Sequence, residues 1–215
     1  MPDTHLDLAN RALQRLGADP ITSLTTTTDT STRAAVLNRL MESTRRTALA
    51  SHKWNFAQAR RTLAGFMCIP VYDFSCAYLL PSDYLTVNET SLEEPEAYRI
   101  ENHVCSHNAT CNMVLITDNA CAPSITYTAD ITDITKWNPL FTYALELQLA
   151  HDAALPLGKS GTLLEALGRE ADLAWKKARA KDGQEGRPKQ SWLSNSLIRA
   201  RRSGRVGRPD QVNLD

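Results

Sequence analysis

The cysteines and two of the five histidines, residue types that often bind metals, lie in the middle of the chain. All five cysteines lie between Cys68 and Cys121, together with His103 and His107. Structural zinc sites usually draw their ligands from closely spaced C-x-x-C pairs, and this stretch contains none. We therefore expect buried or strand-face cysteines rather than a metal site. A disulfide between Cys105 and Cys111 is slightly favoured over a metal, and free thiols in a reducing compartment are the simplest interpretation.

No arrangement of residues typical of catalysis occurs elsewhere. The stretch Leu157-Gly158-Lys159-Ser160 matches only the last letters of the phosphate-binding loop G-x-x-x-x-G-K-[ST]. The nucleophile elbow G-x-S-x-G is absent from the sequence. His151 falls on the apolar face of a predicted helix, where a hydrogen-bonded core histidine is commoner than a ligand. We therefore expect no enzymatic activity, no cofactor and no metal.

The C-terminal residues 187–215 have the composition of a binding segment. They carry seven basic and two acidic side chains, a charge of +5, so the preceding 186 residues carry −5. We predict a partner interface made of Trp192, Leu193, Leu197, Ile198, Arg199, Arg201, Arg202 and Arg205. Apolar residues without local partners usually pack on another molecule, and the arginines suit either phosphate backbones or an acidic protein. Because the body is acidic, we favour a neighbouring protein. A nucleic-acid-binding module that uses this arm is the alternative.

Apolar residues at three- and four-residue spacing predict two helices at the start of the chain. The first covers residues 3–16, with Asp3 or Thr4 as its cap and Gly17 at its end. The second begins near Ser31, with Ser31 or Asp29 as its cap, and its buried stripe is expected to contain Val36, Leu40, Thr44, Thr47 and Ala48. The arginine pairs Arg45-Arg46 and Arg60-Arg61 are interpreted as surface charge. Trp54 and Phe56 are expected to be buried where the helices meet the following strands.

Residues 53–135 alternate short β-branched or aromatic runs with turn residues, which predicts an antiparallel β subdomain. The candidate strands are Phe56–Leu63, Cys76–Leu80, Leu85–Thr90, Tyr98–Glu101, Val104–Cys105, Met113–Thr117 and Ile125–Ala129. Residues 106–112 are expected to turn a hairpin.

Two further helices are predicted after the strands. Asn138 and Pro139 begin the third, since proline tolerates the first turn, and Pro156 closes it. The fourth covers about residues 160–181, and Gly183 and Gly186 are expected to end it.

The predicted elements give an α+β protein, a four-helix bundle with an inserted antiparallel β subdomain and an extended C-terminal arm. The bundle would consist of residues 1–52 and 137–186, the β subdomain of residues 53–136, and the arm of residues 187–215. No stretch approaches the ~18 apolar residues of a membrane span, so no membrane contact is expected.

Several segments, in this order and spacing, resemble one known family. They are Leu8–Gly17 followed by Pro20–Leu24, Ser51–Ala57 followed by Arg60–Leu63, Leu80–Leu85, and Asp182–Gly186. Together they resemble the tail tubular protein A family, the head-to-tail adaptors of short-tailed bacteriophages, over roughly residues 5–190.

The resemblance implies a structural virion protein of the phage neck and tail, assembled in the bacterial host cytoplasm. Members of that family form a dodecameric ring that joins the portal protein to the tail nozzle protein and lines the DNA passage. Contact with genomic DNA would be transient and independent of sequence. Segments that order on assembly are expected, here the run Thr25–Thr28 and the C-terminal arm, and the free protein is expected to be mainly monomeric.

Overall fold

The computed structural model describes residues 4–25, 27–65, 73–92, 97–104 and 111–186. Within these ranges the helices are α1 (His5–Arg15), α2 (Thr32–Ala50), α3 (Pro139–Ala154) and α4 (Gly161–Glu185). The strands, all between α2 and α3 in sequence, are β1 (Gln58–Thr62), β2 (Ala64–Gly65), β3 (Cys76–Leu79), β4 (Tyr84–Thr90), β5 (Tyr98–Val104), β6 (Cys111–Thr117) and β7 (Ser124–Ala129). Short 3-10 turns at Asn55–Ala57 and Ile134–Lys136 connect the strands to the helices.

The helix ends follow the predicted capping residues. Thr4 forms a reciprocal capping box at the start of α1, and Ser31 and Asn138 each accept a hydrogen bond from an amide in the first turn of α2 and α3. Pro139 occupies the first position of α3. Gly17 follows α1 with a φ of +58°, a left-handed conformation that glycine adopts without a steric penalty. These local predictions are confirmed.

The α+β class is correct, but the predicted four-helix bundle is wrong. The structure combines four helices with two antiparallel sheets, and the other three helices are arranged around α3. Each of α1, α2 and α4 packs against α3, and ten of the sixteen α3 residues are buried. A helix that is apolar on most of its circumference lies inside its neighbours, whereas a bundle helix buries a single stripe.

Helix α4 is longer than the sequence predicted. It continues through Gly183 to Glu185, and Gly186 is the cap. A glycine inside a helix costs only about 1 kcal/mol relative to alanine, so tertiary contacts of the last turn outweigh that cost. Those contacts are made by Asp182 and are described below.

The strands form two sheets instead of one layer. The first has the order β1-β7-β4 and the second the order β2-β3-β6-β5, and every pairing is antiparallel. The chain passes between the sheets at Leu63, which is buried with Leu115 of one sheet and Tyr127 of the other. The opposite face of the second sheet carries a smaller cluster that contains Val114 and Ile116. Alternation along β6 therefore places one set of residues between the sheets and one set behind them.

The predicted antiparallel pairing across residues 106–112 is confirmed, because β5 pairs with β6 and Val104 lies opposite Cys111. The predicted bounds of the turn were too long, since Cys111 and Asn112 belong to β6, and residues 105–110 lie outside the described residues. A separate strand at Val104–Cys105 was wrong: Val104 is the last residue of β5. Cys105 lies outside the described residues, so the Cys105–Cys111 disulfide stays a prediction. Cys76 and Cys121 are free thiols.

Candidate assembly surface

The eight predicted interface residues all lie outside the described part of the chain. They are Trp192, Leu193, Leu197, Ile198, Arg199, Arg201, Arg202 and Arg205. The structure does show Gly186, from which the C-terminal arm continues, and the surface around it. That surface is where a contact made by the arm would begin.

The end of α4 is fixed by a buried carboxylate. The Oδ1 atom of Asp182 accepts a hydrogen bond from the backbone amide of Asn55 at 2.9 Å, and Oδ2 lies 3.2 Å from Nε2 of His52. The Asn55 side-chain amide donates to the Asp182 carbonyl oxygen at 2.6 Å. Only 3% of Asp182 is exposed, and a buried charge needs such partners to be tolerated. We call these three residues the exit clamp, because they hold the end of α4, after which the arm follows in sequence, against the link between α2 and β1.

Trp54 lies next to the exit clamp and is buried, as predicted. Its indole Nε1 donates to the Ala48 carbonyl oxygen at 2.9 Å, and its ring packs edge-on against His52 and Phe141 at 4.7 and 5.1 Å. Phe56 is only half-buried, although it contacts the same aromatic cluster. The clamp is therefore supported from inside by the main aromatic core of the helices.

A groove of about 440 Å³ separates α2 from α4 and ends near the clamp. Both helices pack on α3, and at one end of the groove Arg179 of α4 lies 3.5 Å from the hydroxyl of Ser51. We call this space the α2–α4 groove. Its principal lining residues are Leu40, Thr44, Thr47, Ala48, Gln148 and Trp175.

The polar groups on the floor of the α2–α4 groove already have partners in the protein. Asp152 accepts from the Thr44 hydroxyl at 3.3 Å and from the Gln148 amide at 2.9 Å, and its Oδ1 lies 3.0 Å from Nδ1 of His151. The Trp175 indole donates to the Gln148 oxygen at 3.3 Å. His151 is thus hydrogen-bonded and half-buried. Since these groups are satisfied, a ligand in the groove gains mainly apolar contact.

The groove corrects the prediction for α2. Leu40 and Thr47 were placed on its buried stripe, yet Leu40 is half-buried and Thr47 is exposed, because no helix of the described residues covers this part of the stripe. The sequence did contain a signal that this face is not fully covered. Its stripe carries Thr44 and Thr47 at positions where a core-facing helix usually carries leucine. Periodicity marks a face but does not say what covers it.

The prediction that Arg45 is surface charge was also wrong. Its side chain is 6% exposed, it forms an ion pair with Asp130 after β7, and it donates to the Ile131 carbonyl oxygen at 3.1 Å. Arg46 lies 3.6 Å from the other Asp130 oxygen and is half-exposed. The two arginines therefore tie α2 to the first sheet. Arg60 and Arg61 are exposed, as predicted.

A larger cleft of about 880 Å³ lies between α2 and the two sheets. Arg46 and Arg61 line it together with Tyr84, Leu79 and Met113. Its mixture of two arginines and apolar side chains lacks a paired acid and base, and we assign it no chemistry.

Other buried charged groups in the helical region form contacts that join neighbouring helices. Glu146 of α3 is buried and accepts from Nε of Arg15 at 2.9 Å, with Nε of Arg11 at 3.4 Å. The hydrogen bond to Glu146 raises the pKa of Arg15, and the hydrogen bond to Glu170 raises the pKa of Tyr143. These contacts join α1, α3 and α4. Among the described residues, no three His, Cys, Asp or Glu side chains are grouped closely enough to hold a metal ion.

No helix in the described part of the chain is long and apolar enough to cross a lipid bilayer. No protein-family model matches this sequence, and neither does any curated protein sequence.

Proposed function

We propose that this chain is a structural virion protein, the head-to-tail adaptor between the portal and the tail nozzle of a short-tailed bacteriophage. Copies would form a ring, a dodecamer by the family resemblance, around the passage for the DNA. The proposal includes a location in the phage neck after assembly in the host cytoplasm. It assigns no catalytic role to the chain.

The observation that best supports this function is the α2–α4 groove beside the exit clamp. A ring needs two different surfaces on each copy, since a rotation that closes brings one surface of a copy against another surface of the next. The groove is one apolar surface, and the arm with Trp192 and Leu193 is a second, different one. Both suit contact with protein better than chemistry on a small molecule.

The experiment is to purify particles of the phage that encodes this chain and to image their necks by electron cryomicroscopy. We expect a ring of this fold between portal and nozzle, and mass spectrometry of the particles should find the protein at the copy number of that ring. Absence of the protein from purified particles would contradict the proposal.

The alternative, a nucleic-acid-binding module, predicts a different result with the free protein. Such a module should bind bare DNA at physiological salt and lose that affinity steeply as salt rises. An adaptor with an acidic body should bind little at any salt concentration. A filter-binding titration between 50 and 200 mM salt, values at which ~10³–10⁵-fold losses are typical of phosphate-binding proteins, separates the two.

A further inference from the structure

The α2–α4 groove is an apolar surface without a covering element among the described residues. Leu40 and Ala48 of α2 form one wall, and Trp175 of α4 contributes its ring from the other side. The polar floor is hydrogen-bonded within the protein, as described above. Removing further apolar area from water is therefore the main gain that an occupant of the groove could obtain.

The direction in which the chain leaves α4 limits which occupant is possible. Gly186 has φ −109° and ψ 141°, so the chain departs in an extended conformation. In sequence Arg187 and Pro188 follow, and a residue before proline is held in extended conformations. We therefore expect the first residues of the arm to continue away from the end of α4 rather than to turn back along it.

Chain length then decides between a copy's own groove and that of its neighbour. Trp175 lies eleven residues before Gly186, about 16 Å back along the helix at 1.5 Å per residue. Six Cα-to-Cα steps separate Gly186 from Trp192, a span of at most about 21 Å when fully extended. If Arg187 and Pro188 lead outward, the four remaining steps span at most about 14 Å, which is less than the distance back to Trp175. Trp192 therefore does not reach the part of the groove that Trp175 lines in its own chain, and this favours the groove of a neighbouring copy.

We propose that the α2–α4 groove binds the arm segment Trp192–Ile198 of a second copy of this chain. The segment offers an indole and three aliphatic side chains, and the serine and asparagine residues at 194–196 suit the threonine-lined rim. The exit clamp holds the end of α4, so each arm would start from a fixed point. The arginines after this segment are positively charged, and residues 1–186 of the neighbouring copy have a net charge of −5, so the two attract each other. This inference rests on the proposed ring, for which it names the contact between copies.

A disulfide trap tests the proposal on the full-length chain, even if association is weak. Thr47 is exposed on the groove rim, and a Thr47→Cys chain is mixed with a Ser194→Cys chain under mild oxidation. Asn38→Cys, on the exposed side of α2 away from the groove, replaces Thr47→Cys in the matched control, and the unmodified chain controls for the five native cysteines. A disulfide forms only when Cα atoms come within about 7 Å.

We expect the Thr47→Cys mixture to give at least about tenfold more covalent dimer than the control, a preference of about 1.4 kcal/mol. The chain that carries both Thr47→Cys and Ser194→Cys should give a ladder of covalent oligomers. Adding Trp192→Ser and Leu193→Ser should remove the ladder without changing the melting temperature. An internal disulfide at monomer mass would show docking in the same chain and overturn the proposal, as would a yield equal to the control.

The particle experiment separates this inference from the proposed function. A ring in the neck together with no Thr47–Ser194 link would reject the groove contact and leave the adaptor proposal standing. A clear link with a protein that is absent from particles would reject the adaptor proposal and leave the contact between copies.

Discussion

The helical region and the two sheets differ sharply in the size of their cores. The largest apolar cluster of the described residues has 28 buried members, 22 of them within the four α-helices, whereas the sheets contribute clusters of seven and three. Strand β1 has four exposed residues among its five. Because burial of apolar area is the main source of stability, most of the free energy of unfolding resides in the helices. The sheets depend on their attachment to them.

That attachment is made by few residues, which makes the comparison testable. Trp54 anchors the link that leaves α2, and Arg45 holds Asp130 at the end of β7. The chain therefore enters and leaves the sheets through contacts with the same helix, α2. We expect substitutions at Trp54, Leu115, Arg45 and His5 to change the stability of the protein, with the effect decreasing in that order.

The largest effect is expected for Trp54→Ala, which removes a side chain that is 1% exposed from the aromatic core beside the exit clamp. Loss of a large buried aromatic costs about 3–5 kcal/mol. Urea unfolding followed by circular dichroism should show this loss, and Phe56→Ala, at a half-buried neighbour, should cost clearly less. A loss below ~1 kcal/mol for Trp54→Ala would show that the helices do not depend on this junction.

Leu115→Ala should come next, because Leu115 is fully buried in the cluster between the sheets. We expect a loss of about 2–3 kcal/mol, in the lower part of the range for buried leucine, since a thin core can relax around the cavity. Calorimetry decides how the two regions are coupled. One transition at a lower temperature means a single cooperative unit, and a separate early transition means that the sheets unfold on their own.

A smaller effect is expected for Arg45→Met. It leaves Asp130 with its weaker contact to the half-exposed Arg46, and we expect a loss of about 1–3 kcal/mol, below the cost of breaking a fully buried pair. Arg46→Met is the matched control and should cost at most about 1 kcal/mol. The double variant Arg45→Met with Asp130→Asn should recover part of the loss. If it recovers none, the pair does not couple the helix to the sheet.

The smallest effect concerns pH. Burial, and secondarily the charge of Arg45, lowers the pKa of His5, whose ring packs edge-on against Trp137. A lowered pKa means that the unfolded chain binds the proton more readily. The stabilisation is therefore complete above the ordinary histidine pKa of about 6.5 and is lost as pH falls below it toward the folded pKa. Melting temperatures measured from pH 7.5 to pH 5 should fall more for the unmodified protein than for His5→Gln. Parallel curves would contradict this.

Local features of the fold were predictable from the sequence because they depend on neighbouring residues. Ser31, Asn138 with Pro139, and Gly17 act through amides and backbone angles within one turn, and each was identified. The positions of most strands were found from the same kind of signal. The C-terminal segment was also recognised as unusual, although its residues lie outside the described structure.

Features that depend on which elements meet were not predictable. From the sequence alone, Arg45 is expected to be surface charge, and only the structure places Asp130 beside it. Leu40 is likewise expected to be a core residue, and only the structure shows that α4 leaves it partly uncovered. Asp182 is a further case, since nothing near it in sequence indicates that His52 and Asn55 bind it. The arrangement around α3 was missed for the same reason: one apolar helix fits either a bundle or a central position.

The exit clamp also has a mechanical consequence. Tension on an arm held by a neighbour would be applied at Gly186, and an unsupported helix end would fray from its last turn. Here Asp182, in the last turn, is bonded to Asn55 and lies beside His52 in the link before β1. Unwinding of α4 past Asp182 would therefore also have to break these contacts, so a pull on the arm would be shared between two distant parts of the chain.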